Sequence, residues 1–260
     1  MSKISDINAA SGAPLLNINA LPRSREVSSQ RTGSFSNEVD TKLALSVLSR
    51  QLAGAAERAA VRDSQLSRQE LATLGARIQM DLGGVGYRLT KPLHDAFVPD
   101  TDDQERLARA EQATAFVNGR GDNPFKALTL EQLSLIGYDE GGDFTYNERL
   151  AASRELGHRY SLWSSAIVEK ARAEYQSTGY QDETIREVIA YYKALPPIME
   201  AGFGNYEIDL TLLIGKTDQR QSSEDDPLIE VILKTVRKLE DEAEKAHSPI
   251  DPSIKPGGPA

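Results

Sequence analysis

The side chains best suited to chemistry lie in a glycine-rich segment between residues 137 and 148. Asp139 and Glu148 supply carboxylates there, and Thr145 adds a hydroxyl oxygen. A hard cation such as calcium takes about six to eight oxygen ligands of these types. The 260-residue chain contains no cysteine, which excludes thiolate metal sites, disulfides and cysteine nucleophiles. Oxygen and imidazole chemistry therefore remains.

The region 133–150 resembles a degenerate EF-hand. With Gly137 as the first loop position, a glycine falls on the sharp-turn position and a glutamate on the bidentate last position. The first and fifth positions, which normally carry oxygen ligands, are Gly137 and Gly141 here, so few ligands remain. The alternative is a glycine-rich turn between two capped helices, and no other cofactor is expected. The calcium ligands that the resemblance implies are Asp139, Thr145 and Glu148.

The spacing Glu-x-x-His occurs twice, at Glu155–His158 and at Glu244–His247. On a helix this spacing places both side chains on one face, as in dinuclear carboxylate metal centres. His247, however, ends a charged run that has no apolar neighbours to build a buried site. Exposed ion pairing is the simpler interpretation of these residues.

Motifs for hydrolysis or phosphate binding are absent. The sequence has neither Gly-x-Ser-x-Gly nor a glycine-rich loop followed by lysine, and the glycines of residues 83–86 indicate a break after a helix. His94 lies beside Asp95, but no nucleophile can be named for it. No catalytic residue is predicted. An enzyme would need a site assembled from scattered residues such as His94, His158 and Glu148.

The spacing of apolar residues predicts a mainly α protein with one helical domain, or two helical subdomains. Apolar side chains recur at three or four positions, which lines one face of a helix. Ser or Thr followed three residues later by Glu or Gln begins four of the helices. The predicted helices are 41–62, 68–82, 101–119, 129–136, 145–179, 182–195 and one that starts at 226.

One stretch, 206–214, is ambiguous. Tyr206, Ile208, Leu210 and Leu212 alternate with mostly polar neighbours, and a period of two favours a strand. A lone strand has no pairing partner, so a helix or an edge ribbon is the alternative. We expect at most a minor β element.

Both ends of the chain have the composition of disordered segments. Residues 1–36 are rich in Ser, Asn, Ala and Pro, and residues 247–260 are dense in Pro and Gly. The helical domain is therefore placed at 37–246. The chain begins without the apolar core of a secretory signal, and no stretch is apolar enough to span a membrane. We expect a cytoplasmic protein, or one exported by a signal-peptide-independent route.

The two parts of the predicted helical domain differ in the sign of their net charge. Residues 41–80 carry six basic and three acidic side chains, whereas residues 81–160 carry nine and fourteen. We therefore distinguish a basic helical part, 37–82, from an acidic helical body, 83–246. The formal net charge of −9 argues against nucleic acid as a partner, because phosphate binding needs clustered cations.

An apolar stripe lies on the first predicted helix, at Leu45, Leu48 and Leu52. These leucines could bind in the groove of a partner protein, form a coiled coil, or pack inside the domain. A protein of unknown identity is the partner that we expect.

Two runs of sequence, Asn37–Ser49 and Asp139–Arg149, resemble segments of uncharacterised proteins of pseudomonad-type bacteria. The resemblance implies a bacterial source and no established activity. Together with the Ser-rich leader and the missing catalytic motifs, it favours a non-catalytic protein-binding or effector-like protein. The alternatives are an enzyme with a scattered site and a weakly calcium-responsive EF-hand-like module.

Overall fold

The computed structural model describes residues 46–216 together with Leu228, Ile229 and Ile232. All of them belong to one compact unit of the chain. Every regular element within these residues is helical and none is a strand, so the predicted mainly α class is confirmed. The predicted disordered leader and tail lie outside the described residues.

Most helices of residues 46–216 are joined by short connections, and the longest connection, residues 118–129, lies between the fourth and fifth α-helices. Within that range no helix is both long enough and apolar enough to cross a membrane. A turn of 3₁₀ helix at Ala201–Phe203 lies between the eighth and ninth α-helices of this range. The α-helices are α1 Val47–Gln65, α2 Arg68–Gly83, α3 Val85–Ala96, α4 Gln104–Val117, α5 Leu130–Gly137, α6 Tyr146–Thr178, α7 Asp182–Lys193, α8 Pro197–Glu200 and α9 Tyr206–Thr211.

Three of the four predicted capping pairs begin a helix where the sequence places them, but the prediction of a start at Thr101 is wrong, because Asp103 caps α4 and its side chain accepts from the amide of Arg106. Ser67, Thr129 and Thr145 each form a capping box at the start of α2, α5 and α6. In each box the hydroxyl accepts from the third helical amide, while the side chain of that third residue accepts from the cap amide. Gly179 ends α6 at a φ of 77°, a conformation that favours glycine.

Two apolar clusters form the core, and α6 contributes to both. Leu150 and Leu156 lie in the first cluster, together with side chains from α1, α2, α4 and α5. Ile167 and Ala171 lie in the second cluster, together with side chains from α7 and α9 and with the buried Leu228, Ile229 and Ile232. The core therefore has two parts that share one continuous helix.

Residues 206–214 form a helix and a turn, so the expected strand is wrong and the helical alternative is correct. Tyr206 and Leu210, four residues apart, are buried in the second cluster. Ile208 and Leu212 are 63% and 61% exposed. The apolar residues at 206, 208, 210, 212 and 214 fit contacts at i and i+4 as well as those of a strand, so the period of two did not discriminate between a helix and a strand.

The sequence patterns do not predict α3. Its start is unusual because Gly84 turns the chain sharply after α2: a Cβ added there would lie 2.4 Å from the carbonyl oxygen of Met80. Pro92 lies inside the helix, where it cannot donate the interior amide hydrogen bond. Glycines at the start and a proline in the middle hide a helix from pattern analysis.

The predicted partner-binding stripe packs inside the domain where the structure describes it. Leu48 and Leu52 are half-buried against the first cluster, in which Ala55 is fully enclosed. Of the three alternatives for these leucines, internal packing is the arrangement observed. Leu45 lies outside the described residues.

Candidate functional site

The segment that resembles an EF-hand connects α5 to α6, and its side chains bond to the protein itself. The hydroxyl of Thr145 accepts a hydrogen bond from the amide of Glu148 at 3.1 Å. Glu148 Oε2 accepts from the amide of Thr145 at 2.7 Å in return. Two of the three predicted calcium ligands thus form the capping box of α6.

The other carboxylate oxygen of Glu148 is bound by Arg109 of α4. Arg109 Nε donates to Glu148 Oε1 at 2.7 Å, and the two side chains are 8% and 0% exposed. Arg109 Nη2 donates to Gln51 Oε1 at 2.6 Å, while Gln51 Nε2 donates to the carbonyl oxygen of Asp143. This buried ion pair connects α1, α4, α6 and the loop before α6.

Asp139, the third predicted ligand, pairs with Arg58 of α1. Arg58 Nε and Nη2 donate to the two oxygens of Asp139 at 2.8 and 3.1 Å, and Nη2 also donates to Asp143 Oδ2 at 2.6 Å. The bonds to Asp139 and Asp143 outweigh burial and hold the pKa of Arg58 above its ordinary value. Arginine therefore neutralises both carboxylates.

Arginine side chains already neutralise the carboxylates of the loop that resembles an EF-hand. A calcium ion would have to displace Arg58 from Asp139 and Arg109 from Glu148. Within the part of the chain that the structure describes, no group of three or more His, Asp and Glu side chains is placed to hold a metal ion. Calcium binding by this loop stays a prediction.

The remaining metal and catalytic candidates lie apart from one another. Glu155 is buried and accepts from Arg159 at 3.0 Å, whereas His158 is exposed. Glu148 and His158 are ten residues apart on α6, about 15 Å along its axis, so they do not meet. The pair Glu244–His247 lies outside the described residues.

A second polar network lies under α3, around Asn147 of α6, which is 1% exposed. Asn147 Nδ2 donates to Asp95 Oδ1 and to Thr114 Oγ1, each at 3.0 Å, and Asn147 Oδ1 accepts from the hydroxyl of Tyr87 at 3.3 Å. Lys91 Nζ pairs with Asp95 Oδ2 at 2.5 Å. These bonds fix the rotation of α3 about its own axis.

His94 belongs to a ring stack beside this network. Its ring centroid lies 3.9 Å from that of Tyr146 and 5.7 Å from that of Tyr87, and its Nε2 lies 3.0 Å from Thr90 Oγ1. Burial lowers the pKa of His94 against the attraction of Asp95. Burial also raises the pKa of each tyrosine to about 12. His94 is therefore mostly neutral near pH 7, and it packs beside two tyrosine rings that also contact each other, with centroids 5.3 Å apart.

The opposite side of α3 is apolar and exposed. Every exposed residue within this helix is apolar, and we name the surface that they form with Phe97 the α3 face. Its members are Val85, Gly86, Leu89, Pro92, Leu93, Ala96 and Phe97. The large side chains are exposed by 59% at Val85, 62% at Leu89, 71% at Leu93 and 58% at Phe97, and the adjoining Val98 is exposed by 69%.

α3 thus turns its polar side toward the protein and its apolar side toward solvent. Helices at a protein surface usually do the reverse, because burying apolar side chains is the main driving force of folding. The largest contiguous apolar patch on a typical monomer covers about 300–600 Å² and is often an interaction site. Among the described residues, the α3 face is the feature that best fits a binding surface.

The sequence did not predict this surface, because the glycines of residues 83–86 indicated a break after a helix and no helix was predicted over 85–96. The signal was a step of four residues between large apolar side chains. That step joins Val85, Leu89, Leu93 and Phe97.

Comparison of the chain with protein family models, curated protein sequences and solved structures found no match. The function must therefore be inferred from the residues and geometry of this chain.

Proposed function

We propose that this chain is a non-catalytic protein-binding protein and that the α3 face is its binding surface. The observation that carries the proposal is an exposed helix face without a charged or polar side chain, centred on Leu89 and Leu93. Burying one such side chain contributes about 1.5–3 kcal/mol, so covering the face with another protein is favourable.

The network beneath α3 supports this proposal because it orders the face in advance. Asn147 holds Asp95 and Tyr87, and Lys91 pairs with Asp95 on the same helix. A surface that is ordered before binding loses less conformational entropy when a partner arrives. We therefore interpret these buried polar residues as the support of a binding surface.

The charges near the α3 face favour a protein over a lipid surface. Asp100, Asp102 and Asp103 follow the helix directly, and the whole chain has a formal net charge of −9. Helices that bind membrane surfaces usually carry an excess of Lys and Arg on their polar side, which attract anionic lipids. Of these residue types, the polar side of α3 has only Arg88 and Lys91, and Lys91 is paired with Asp95. The acidic residues that follow the helix would be repelled by such lipids.

A finer proposal is that the protein comes from a bacterium and acts as an exported, effector-like protein. The bacterial source and the export both rest on the Ser-rich composition of residues 1–36 and on the resemblance of two sequence runs, not on the α3 face. Protein binding through α3 requires neither of them.

Site-specific photocrosslinking of the full chain tests the proposal. A photoreactive phenylalanine analogue replaces Leu93 in one sample and Leu162 of α6, which is 59% exposed, in the control. We expect a discrete polypeptide adduct from position 93 alone, whether the captured protein is a second copy or another chain. Adding Leu89→Asp should abolish the adduct and leave the helical content unchanged. Equal adducts at both positions, or none at either, would contradict the proposal.

A further inference from the structure

We infer that the protein seated on the α3 face is a second copy of this chain, paired antiparallel about a twofold axis. The inference rests on the proposed function and names the partner for that surface. Val85, Leu89, Leu93 and Phe97 recur at every fourth residue and form a single ridge. Ridges of this spacing pack into the grooves of a second such helix at about 50°, the commonest packing class.

The ridge is apolar from one end to the other, as a twofold pair requires. In a twofold contact, residue i of one copy touches residue j of the other, and j touches i. With the axis level with Lys91, Leu89 opposes Leu93 of the second copy and Val85 opposes Phe97. All these contacts join large apolar side chains that are more than half exposed in one copy.

The residues beside the ridge leave room for a neighbouring helix. Gly86 and Ala96 are small and exposed, one near each end of α3. A Cβ added at Gly86 would meet nothing within 4 Å, so the surface is open there. Grooves lined by small residues let a second helix approach closely, and the ridge of a second copy would fill them.

Charge on α3 is also compatible with a like partner. No ionisable side chain belongs to the α3 face, so pairing two copies brings no like charges into its centre. The charged residues of α3 are Arg88, Lys91 and Asp95, which are all partly buried, and Lys91 and Asp95 pair with each other at 2.5 Å. An unlike partner is usually selected by complementary charge, and this face offers none for selection.

The size of the face indicates a reversible dimer. A large apolar side chain buries roughly 60–120 Å², so the α3 face with Val98 would bury about 300–600 Å² in each copy. Specific interfaces bury about 600–1,000 Å² per partner. We therefore expect a dimer that dissociates on dilution, not a permanent one.

Sedimentation velocity on the full chain over a wide range of concentration tests the inference. We expect the mass to rise from 28.5 kDa toward twice that value as concentration increases. Leu93→Asp should remain a monomer throughout. Leu162→Asp makes the same substitution on an exposed part of α6 and should dimerise like the parent chain. Thermal melts of both variants show whether each one is folded.

Cysteine crosslinking tests the antiparallel register, because the chain has no cysteine of its own. Chains with Leu89→Cys and chains with Leu93→Cys are prepared separately and then mixed under mild oxidation. The mixed disulfide should form several times faster than either self-disulfide, because positions 89 and 93 face each other across the axis. Faster formation of the two self-disulfides would overturn the antiparallel pairing.

The outcomes separate this inference from the proposed function. A monomer at every concentration overturns the second-copy inference, and an adduct at position 93 with a different polypeptide would then leave the proposed function standing. Flotation with phosphatidylcholine vesicles is the third measurement. If the parent chain floats with them and Leu93→Asp does not, both the inference and the proposed function are overturned.

Discussion

Arg109 Nε lies 2.7 Å from Glu148 Oε1, at a place where the Glu148 side chain is shielded completely from water. Glu148 Oε2 accepts from the amide of Thr145. Arg109 Nη1, in contrast, is one of the buried side-chain atoms of the described region that lack a hydrogen-bond partner. Such an ion pair stabilises the fold only while both charges are present, because either charge alone would be buried without compensation.

Glu148→Gln should therefore lower the free energy of unfolding by about 3–5 kcal/mol, because it leaves Arg109 charged and buried. The amide oxygen of glutamine can still accept from Thr145, so the capping box is kept. Denaturant titration measures the loss. Glu140→Gln breaks an exposed pair with Arg77 and should cost about 1 kcal/mol or less.

The double variant Arg109→Met/Glu148→Gln should recover much of that loss, because no unpaired charge remains in the core. Equal losses in the single and double variants would show that the charge pair is not the cause.

Calcium should leave the thermal midpoint of the parent chain unchanged, because Arg58 and Arg109 occupy the carboxylates of Asp139 and Glu148. Trp163 stacks on Tyr191 at 3.7 Å, so its fluorescence reports unfolding of the second cluster. A ligand at a hundredfold excess over its Kd stabilises by about 2.7 kcal/mol, which moves the midpoint by several degrees. A rise of that size that disappears in Glu148→Gln would instead establish the loop as a calcium site.

Lowering the pH should destabilise the fold, because His94 takes up a proton more readily in the unfolded chain than in the folded one. Its pKa in the folded chain lies below the ordinary 6.5 because of burial. Between those two values the unfolded chain binds a proton that the folded chain does not, so the free energy of unfolding decreases as pH falls. Urea titrations between about pH 8 and about pH 5 measure this slope. His94→Gln should flatten it, whereas His158→Gln, which removes an exposed imidazole from α6, should not.

Gly84→Ala should destabilise the junction of α2 and α3 by about 1–3 kcal/mol, because the new methyl would lie 2.4 Å from the Met80 carbonyl oxygen. Gly86→Ala is the matched control. Its methyl meets nothing within 4 Å, and alanine favours a helix over glycine by about 0.5–1 kcal/mol, so this change should be neutral or stabilising. Differential scanning calorimetry distinguishes the two variants, and equal midpoints would contradict the steric explanation.

Local chemistry explains why most helices could be predicted from sequence. The starts of α2, α5 and α6 depend on a Ser or Thr and on a residue three positions later, and both are visible in a short window. α3 lacks a side-chain cap and contains Pro92, so its local signals point away from a helix. Its position depends instead on contacts with Asn147, 52 residues from Asp95.

The sequence predicted where the polar loop lies, but it could not predict which groups neutralise the carboxylates of the loop. Asp139, Thr145 and Glu148 are spaced as in a calcium loop, and spacing alone does not show what neutralises a carboxylate. The neutralising groups come from far away in sequence. Arg58 is 81 residues from Asp139, and Arg109 is 39 residues from Glu148.

The sharing of α6 by both clusters has a consequence for how the protein opens. A helix of 33 residues is about 50 Å long, and its middle, near Tyr160, lies where one cluster gives way to the other. Amides there should exchange with deuterium only when the whole domain unfolds, so they should be the slowest to exchange. A cavity made in either cluster should increase the exchange rate of these mid-helix amides by the same factor by which it increases the equilibrium constant of global unfolding. Exchange in the middle of α6 should therefore report the stability of both clusters.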